Sequence, residues 1–427
     1  MKLLASLLVA VGICTPFAFA NGKVELQASR PKPRPILGVH FNFADGPNEV
    51  IREMRRPDLH ETLFSILRDC GAEDLRMSFH GYYSHLGPEA TEKLKRETRL
   101  PNQFRWFPIE DYIRFIKRYR LTTVLGINVE EGPDVAVDLL ERFKQAEALD
   151  LITSVEFGNE PFLSERPWPP EEYAERSAEI IRRIRPYGRK LAIALTVGKD
   201  RRNPLRIPGN EYTERVLKTL AKHIDLNSDD LYGVIHLYSK GVSAKTVEQF
   251  NKIVRKYSKM KYQVTEYNIR LWMSKNPHLT VEYALEFARK LNQLIVHEDI
   301  TGLWIHSFPY HSLVYWTDGE VATVVGFRDP KLKDLTPGWH LTPAGQVHGY
   351  YQKWAWNGSI LAFLDKDKEQ YWAVESPEGT LISVLNTRNS TLRKQLKFRG
   401  QTLRVEVPAR SIVTYRLDGT IAAKLVL

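Results

Sequence analysis

Short apolar runs alternate along this chain with longer stretches whose apolar residues recur at helical spacing. The short runs fall at Ile36 to Phe43, Asp74 to Phe79, Leu121 to Val129, Leu151 to Glu160, Lys190 to Val197, Leu231 to Tyr238, Tyr262 to Asn268 and Thr301 to Phe308. Each reads as a strand. Between them, Leu63, Ile66 and Leu67 mark one helical face, and Ile113, Ile116 and Tyr119 mark the next. Val135 to Ala148, Tyr173 to Ile184, Val216 to Ile224, Val247 to Tyr257 and Tyr283 to Val296 continue the pattern. Pro133, Pro170 and Thr280 stand near helix starts, and Gly71 and Gly188 near helix ends, where their backbone preferences help. Eight such units predict an α/β fold, a (β/α)8 TIM barrel over residues 35–349, closed by a helix from about Pro343 to Trp354.

Beyond that helix the apolar period shortens to two. Ser359 to Leu364, Gln370 to Ser376, Thr380 to Asn386, Thr391 to Phe398, Thr402 to Val407 and Ser411 to Leu417 are strands punctuated by Gly and Pro turns. They predict a C-terminal antiparallel β-sandwich domain over 350–427. Residues 21–34, with Pro31 and Pro33 set among basic residues, read as an extended segment in which Val24 to Gln27 can add an edge strand.

The first twenty residues pair Lys2 with an apolar run from Leu3 to Ile13 and a small-x-small site at Ala18, Phe19 and Ala20. A signal peptide over 1–20 is expected, hence a secreted or periplasmic, envelope-side protein. The run is short for a bilayer span, and no later segment is long enough to make one. With the leader removed Cys70 is the only cysteine, so no intrachain disulfide is expected. The formal net charge of +10 fits an anionic partner or envelope surface, and fits equally a generic basic exported protein. No nucleic-acid-binding motif accompanies it.

In a barrel of this kind chemistry collects at the C-terminal ends of the strands. Those ends carry His40 and Asn42, Arg76 and His80, Asn159 and Glu160, His236 and Tyr238, Glu266, and Trp304 and His306. Two glutamates that each end a strand, Glu160 in SVEFGNEPF and Glu266 in YQVTEYN, suggest an acid and a nucleophile. His236 and Tyr238 share parity and face one side. Glu156 shares parity with Glu160 and lies deeper, where a buried charge wants a partner such as Arg76. Glu130 and Glu131 are competing carboxylates whose place suits capping of the next helix. His306 and His311 lack any metal-ligand motif, so no metal or other cofactor is expected, and substrate contact or ordinary burial accounts for them.

These residues resemble clan A of the retaining glycoside hydrolases, with the β-xylosidase/α-iduronidase and heparanase-like groups among its families. The resemblance covers Ile36 to Phe308. It implies that Glu160 is the general acid/base, that Glu266 is the nucleophile and that Asn159 holds the sugar 2-hydroxyl. It further implies that Tyr238 orients Glu266, that Arg76 keeps Glu266 ionised, that Trp304 floors the subsite where the sugar is cleaved, and that His236 matches the His-x-Tyr of strand six. Many relatives carry a histidine near the end of strand three, where this chain has Asn128. His40 joins the expected substrate contacts.

Arg202, with Lys199, Arg201, Arg206 and Arg270, suits the carboxylate or sulfate of an acidic polysaccharide, and a solvated loop accounts for it as well. Trp168, Trp272, Tyr310 and Tyr315 fall in or near the same loops and suit stacking on a sugar polymer. A carbohydrate is the expected substrate. A transglycosylase would use the same residues. A non-catalytic carbohydrate-binding barrel would have no chemical reason to keep both carboxylates.

Overall fold

The computed structural model describes residues 23–26, 31–41, 56–78, 109–163, 167–196, 204–238, 241–269, 279–308, 313–317, 322–324, 327–329, 336–355, 358–361, 370–377 and 379–427. The leader expected over 1–20, and Asn42, His80, Arg202, Arg270, Trp272, Tyr310 and His311, lie outside them.

After a short strand β1 (Lys23–Leu26), eight parallel strands close into a barrel in chain order. They are β2 (Ile36–Phe41), β3 (Asp74–Ser78), β4 (Thr122–Ile127), β5 (Ile152–Phe157), β6 (Lys190–Ala194), β7 (Leu231–Tyr238), β8 (Lys261–Asn268) and β9 (Ile300–Phe308). β9 pairs back onto β2. Among the described residues one helix follows each strand: α1 (His60–Asp69), α2 (Ile109–Tyr119), α3 (Pro133–Gln145), α4 (Pro170–Ile184), α5 (Gly209–Leu220), α6 (Ala244–Val254), α7 (Val281–Ile295) and α8 (Pro343–Ala355). The expected helix signals act as read: prolines open α3 and α4, and the Thr280 hydroxyl accepts the Tyr283 amide at the start of α7. The N-cap position of α3 is Gly132, the residue that follows Glu130 and Glu131.

Alternate strand residues such as Val39, Leu75, Leu125, Val155, Ile193, Ile235 and Leu303 face the helices and join one apolar core with them. Each such aliphatic side chain contributes ~1.5–3 kcal/mol on burial. The opposite parity faces the barrel interior and is largely polar, which is where the chemistry collects.

Between β9 and α8 the chain inserts a four-stranded antiparallel sheet that the sequence reading left as loop. Its strands are β10 (Val314–Thr317), β11 (Ala322–Val324), β12 (Phe327–Asp329) and β13 (Gly338–Leu341). The sandwich follows as β14 (Ser359–Leu361), β15 (Tyr371–Ser376), β16 (Gly379–Asn386), β17 (Leu392–Phe398), β18 (Gln401–Val407), β19 (Ser411–Arg416) and β20 (Ile421–Val426). One layer is β14-β15-β16-β19-β20 and the other is β1-β17-β18, with Leu26, Val384, Leu396 and Val405 among the apolar residues between them. The edge strand foreseen near Val24 is therefore part of the sandwich. A division at 349/350 falls inside α8, whose last turns dock the two units: Tyr351 stacks on Trp372 at 5.2 Å and the Tyr350 hydroxyl meets that of Thr414 at 2.7 Å.

Candidate active site

The barrel interior is layered, and the deepest polar layer corrects one expectation. Trp304 is fully buried, so it cannot floor a sugar subsite in the cleft. Its indole lies across the interior in room left by two glycines on adjacent strands. A Cβ on Gly38 would come within 2.3 Å of the ring, and one on Gly302 equally close. The indole N–H donates to Asp74 Oδ1 at 2.8 Å, and Asp74 also accepts from the Thr122 hydroxyl at 2.6 Å, from Thr153 and from the Val124 amide. Burial pushes the Asp74 carboxyl up to about 6, against the pull of those donors. His306, two residues along β9, reaches the cleft in place of the indole.

Above that layer Arg76 binds four oxygens. Its Nε and Nη2 hold both Glu156 oxygens at 2.7 Å, Nη1 donates to Glu266 Oε1 at 2.5 Å, and Nη2 also donates to Asn159 Oδ1 at 2.7 Å. The partner foreseen for Glu156 is the one it has. Burial penalises the Glu156 charge, but Arg76 and His236 together outweigh it and hold this carboxyl below its usual range. With its oxygen taken by Arg76, Asn159 keeps its amide N–H groups as donors.

The end of β5 turns sharply to present Glu160. Gly158 has φ 71° and Glu160 itself φ 45°, a left-handed conformation rare for a side chain of this kind. Glu160 is 23% exposed and accepts from or shares a proton with His236 Nδ1 at 3.1 Å.

Glu266 reaches the interior only because β8 carries an extra residue. Gln263 faces inward, bonded to Ser154 across the barrel at 2.8 Å, and Val264 faces the helices. Strict alternation would then turn Glu266 outward. Instead Val234 and His236 of β7 pair with Gln263 and Glu266, and Leu303 and Ile305 of β9 pair with Val264 and Tyr267, so three steps on β8 match two on each neighbour. This bulge turns both Thr265 and Glu266 inward.

Glu266 is 3% exposed, and Arg76, the Tyr238 hydroxyl and three imidazoles surround it. Burial would raise its pKa, but the charges of His236 and Arg76, then His306 and His40, hold it well below the usual carboxylate range. Burial, then the charges of Glu266 and Glu160, keeps the Tyr238 hydroxyl protonated as a donor. His236 Nδ1 stands 3.1 Å from Glu160 Oε1 and 3.6 Å from Glu266 Oε2, and its Nε2 meets the Thr265 hydroxyl at 3.2 Å. Burial alone would lower the pKa of this imidazole; Glu266, Glu156 and Glu160 together raise it to about 9.

Of the residues singled out from sequence, His40, Arg76, Asn159, Glu160, His236, Tyr238 and Glu266 meet at one end of the barrel. Trp304 lies beneath them, and Arg202 is outside the described residues. Sequence reasoning missed Asp74, whose signal was its parity with Arg76 on β3. It also missed Thr265, which only the bulge brings inward. Asn128 accepts the Glu130 amide at 3.0 Å in the turn after β4.

No protein-family model matches the chain, and no curated protein sequence matches it. Solved structures do. A GH39 β-xylosidase from Caulobacter crescentus aligns with TM-score 0.57 and 14% identity over 88% of this chain and 83% of its own. A family 51 α-L-arabinofuranosidase from Bifidobacterium longum aligns with TM-score 0.58 and 13% identity over 88% of both chains. The catalytic domain of a GH30 xylanase from Talaromyces cellulolyticus aligns with TM-score 0.53 and 12% identity over 94% and 100%. This chain has the fold of the clan A glycoside hydrolases.

Proposed function

We propose that the protein is an exported retaining glycoside hydrolase that cleaves O-glycosidic bonds of a poly- or oligosaccharide. The observation that carries this reading is the placing of Glu160 and Glu266 on either side of a single imidazole nitrogen, 3.1 and 3.6 Å away. Their nearest oxygens are no farther apart than those two legs allow. That limit reaches only the lower edge of the ~6.5–9.5 Å spacing of inverting enzymes and accommodates the ~5–5.5 Å of retaining ones.

In this reading Glu266, ionised and anchored by Arg76 and Tyr238, attacks the anomeric carbon. Glu160, the more exposed of the two, gives its proton to the leaving oxygen and then takes one from the water that releases the sugar. Asn159 offers its N–H groups to the sugar 2-hydroxyl. His236 holds Glu160 in register with Glu266. The leader at 1–20 supports export. The basic loop at Arg201 and Arg202 supports an acidic substrate, and Arg202→Ala is expected to raise KM for an acidic substrate more than for a neutral one.

The test is sugar release from a panel of neutral and acidic polysaccharides and aryl glycosides, with Glu160→Gln and Glu266→Gln beside the parent. Release lost in both variants, and a product that keeps its anomeric configuration, supports the assignment. Binding without release from any substrate would make this a carbohydrate-binding barrel. Transfer to added sugar in preference to water would make it a transglycosylase.

A further inference from the structure

Glu160 and Glu266 each leave the barrel beside a place where neighbouring strands part, and a buried tyrosine reaches into each place. Register pairing of β5 with β6 ends at Phe157 and Ile193. Just past that pair the Tyr173 hydroxyl donates to the Phe157 carbonyl at 2.7 Å and accepts the Ala194 amide at 3.0 Å, so it bridges the two strands. The Gly158 amide, in the same peptide unit as that carbonyl, donates to the Ile127 carbonyl of β4 at 2.9 Å. The peptide from which the chain turns toward Glu160 is therefore held from both sides. Glu160 itself has φ 45°, a conformation that persists only where the surroundings over-determine it.

On the other side, pairing of β8 with β9 shifts register at the bulge and ends at Tyr267 and Ile305. Beyond it the Asn268 side chain donates to the His306 carbonyl at 2.5 Å, and the Tyr283 hydroxyl donates to Asn268 Oδ1 at 3.0 Å. Tyr283 thus takes the amide oxygen and turns the amide N–H groups toward β9. A side chain carries the contact between the strands just after Glu266, and a tyrosine fixes how it points. The two tyrosines are matched. Each is buried near the start of the helix that follows its strand, within Glu172-Tyr173-Ala174 of α4 and Glu282-Tyr283-Ala284 of α7.

We propose that Tyr173 and Tyr283 are a pair of positioning residues, one for Glu160 and one for Glu266, that set the separation of the two carboxylates through the backbone. His236 Nδ1 can stand 3.1 Å from one glutamate and 3.6 Å from the other only because the strand ends already present both to it. Loss of either hydroxyl lets one strand end shift and carries its glutamate away from the other. The consequence for rate rests on the reading of Glu160 as acid and Glu266 as nucleophile; the consequence for placement does not. A displacement of ~1 Å at a reacting group can cost ~10^2-fold in rate.

The test sets Tyr173→Phe and Tyr283→Phe beside Tyr112→Phe. Tyr112 is equally buried, and its hydroxyl meets that of Thr123 at 2.7 Å on β4, a strand that carries neither glutamate. All three variants lose one buried hydroxyl, so their melting temperatures should fall by similar amounts. NMR titration of the His236 ring reads placement without any turnover. Against burial, the neighbouring carboxylates raise its midpoint to about 9, and that midpoint should fall in Tyr173→Phe and in Tyr283→Phe but not in Tyr112→Phe. Kinetics then tell the two apart. Tyr173→Phe should lower kcat/KM about tenfold for a sugar leaving group and hardly at all for a dinitrophenyl one, whose oxygen needs no proton. Tyr283→Phe should lower both about tenfold. Melts identify a variant that fails to fold, and the other tyrosine then decides by the same readouts. An unmoved His236 midpoint in the folded variants, or an equal shift in Tyr112→Phe, overturns the positioning role. The same leaving-group dependence in both variants overturns the assignment of one tyrosine to each glutamate. A parent that cleaves nothing while the midpoints move as expected sinks the hydrolase reading and leaves the positioning standing.

Discussion

Two buried polar layers lie one above the other in the barrel, and equal burial leaves their carboxyls in opposite states. Asp74, beneath, has only neutral donors for partners and its carboxyl is pushed up to about 6. Glu156 and Glu266, above, share one guanidinium and are both held below the usual range. Desolvation acts on all three, and the cations above, Arg76 together with the His236 imidazolium, reverse its outcome. The lower layer, which also seats the Trp304 ring, joins strands to one another. The upper layer stores negative charge beside the cleft, where a retaining nucleophile needs it. Experiments that separate stability from turnover should therefore separate the layers.

The largest expected effect is at Glu266. Glu266→Ala should lower kcat by ~10^5-fold or more, as removal of a nucleophile commonly does, with circular dichroism unchanged. Retained turnover would move the nucleophile elsewhere. Glu160→Gln should cost ~10^2–10^4-fold, least with an aryl leaving group that needs no proton. Arg76→Met comes next. It leaves Glu156 and Glu266 buried without their cation and should destabilise the protein by about 3–5 kcal/mol while lowering kcat. Adding Glu156→Gln should recover part of the stability and little of the turnover. Denaturant melts of the single and double variants read the first effect and steady-state kinetics the second.

The strand ends were legible because eight repeats of a short β run and a helical run leave little freedom in where the strands stop. The Glu156–Arg76 pair was legible too, since parity on β5 and the cost of a lone buried charge pointed to it. Glu266 was placed correctly for an incomplete reason. The pattern of β8 read strictly by twos turns Glu266 toward the helices, and the extra residue that reverses it has no signature in VTEYN. Trp304 was put on the right strand and face but at the wrong depth. Gly38 and Gly302, on the two strands beside that ring, were the missed signal. The inserted sheet escaped because its strands are three or four residues long, too short for a period to show. β20 escaped because Ile421 and Val426 are exposed, which blurs its alternation.

Trp304→Phe tests the corrected depth. It keeps a ring between the glycines but removes one donor from Asp74, and it should cost about 1–3 kcal/mol with KM unchanged. A marked rise in KM at constant stability would instead return this residue to the sugar subsite.

The smallest effect is also the one that compares the layers directly, because each titrates in its own window. The folded pKa of Asp74 is raised from 3.8 to about 6, so its contribution to stability is complete below pH 3.8 and is lost as pH rises through 6. The folded pKa of His236 is raised from 6.5 to about 9, so its contribution is complete below pH 6.5 and is lost as pH rises through 9. Thermal melts from pH 4 to 10 should therefore show two separate declines, each on the order of 1–3 kcal/mol. Asp74→Asn should flatten the lower decline and leave the upper one, and His236→Asn should do the reverse. Turnover should follow the upper decline and ignore the lower, since only the imidazolium stands between Glu160 and Glu266. If Asp74→Asn moves the pH profile of kcat, the layers are not independent, and the charge on Asp74 reaches Glu266 through Arg76 on the same strand.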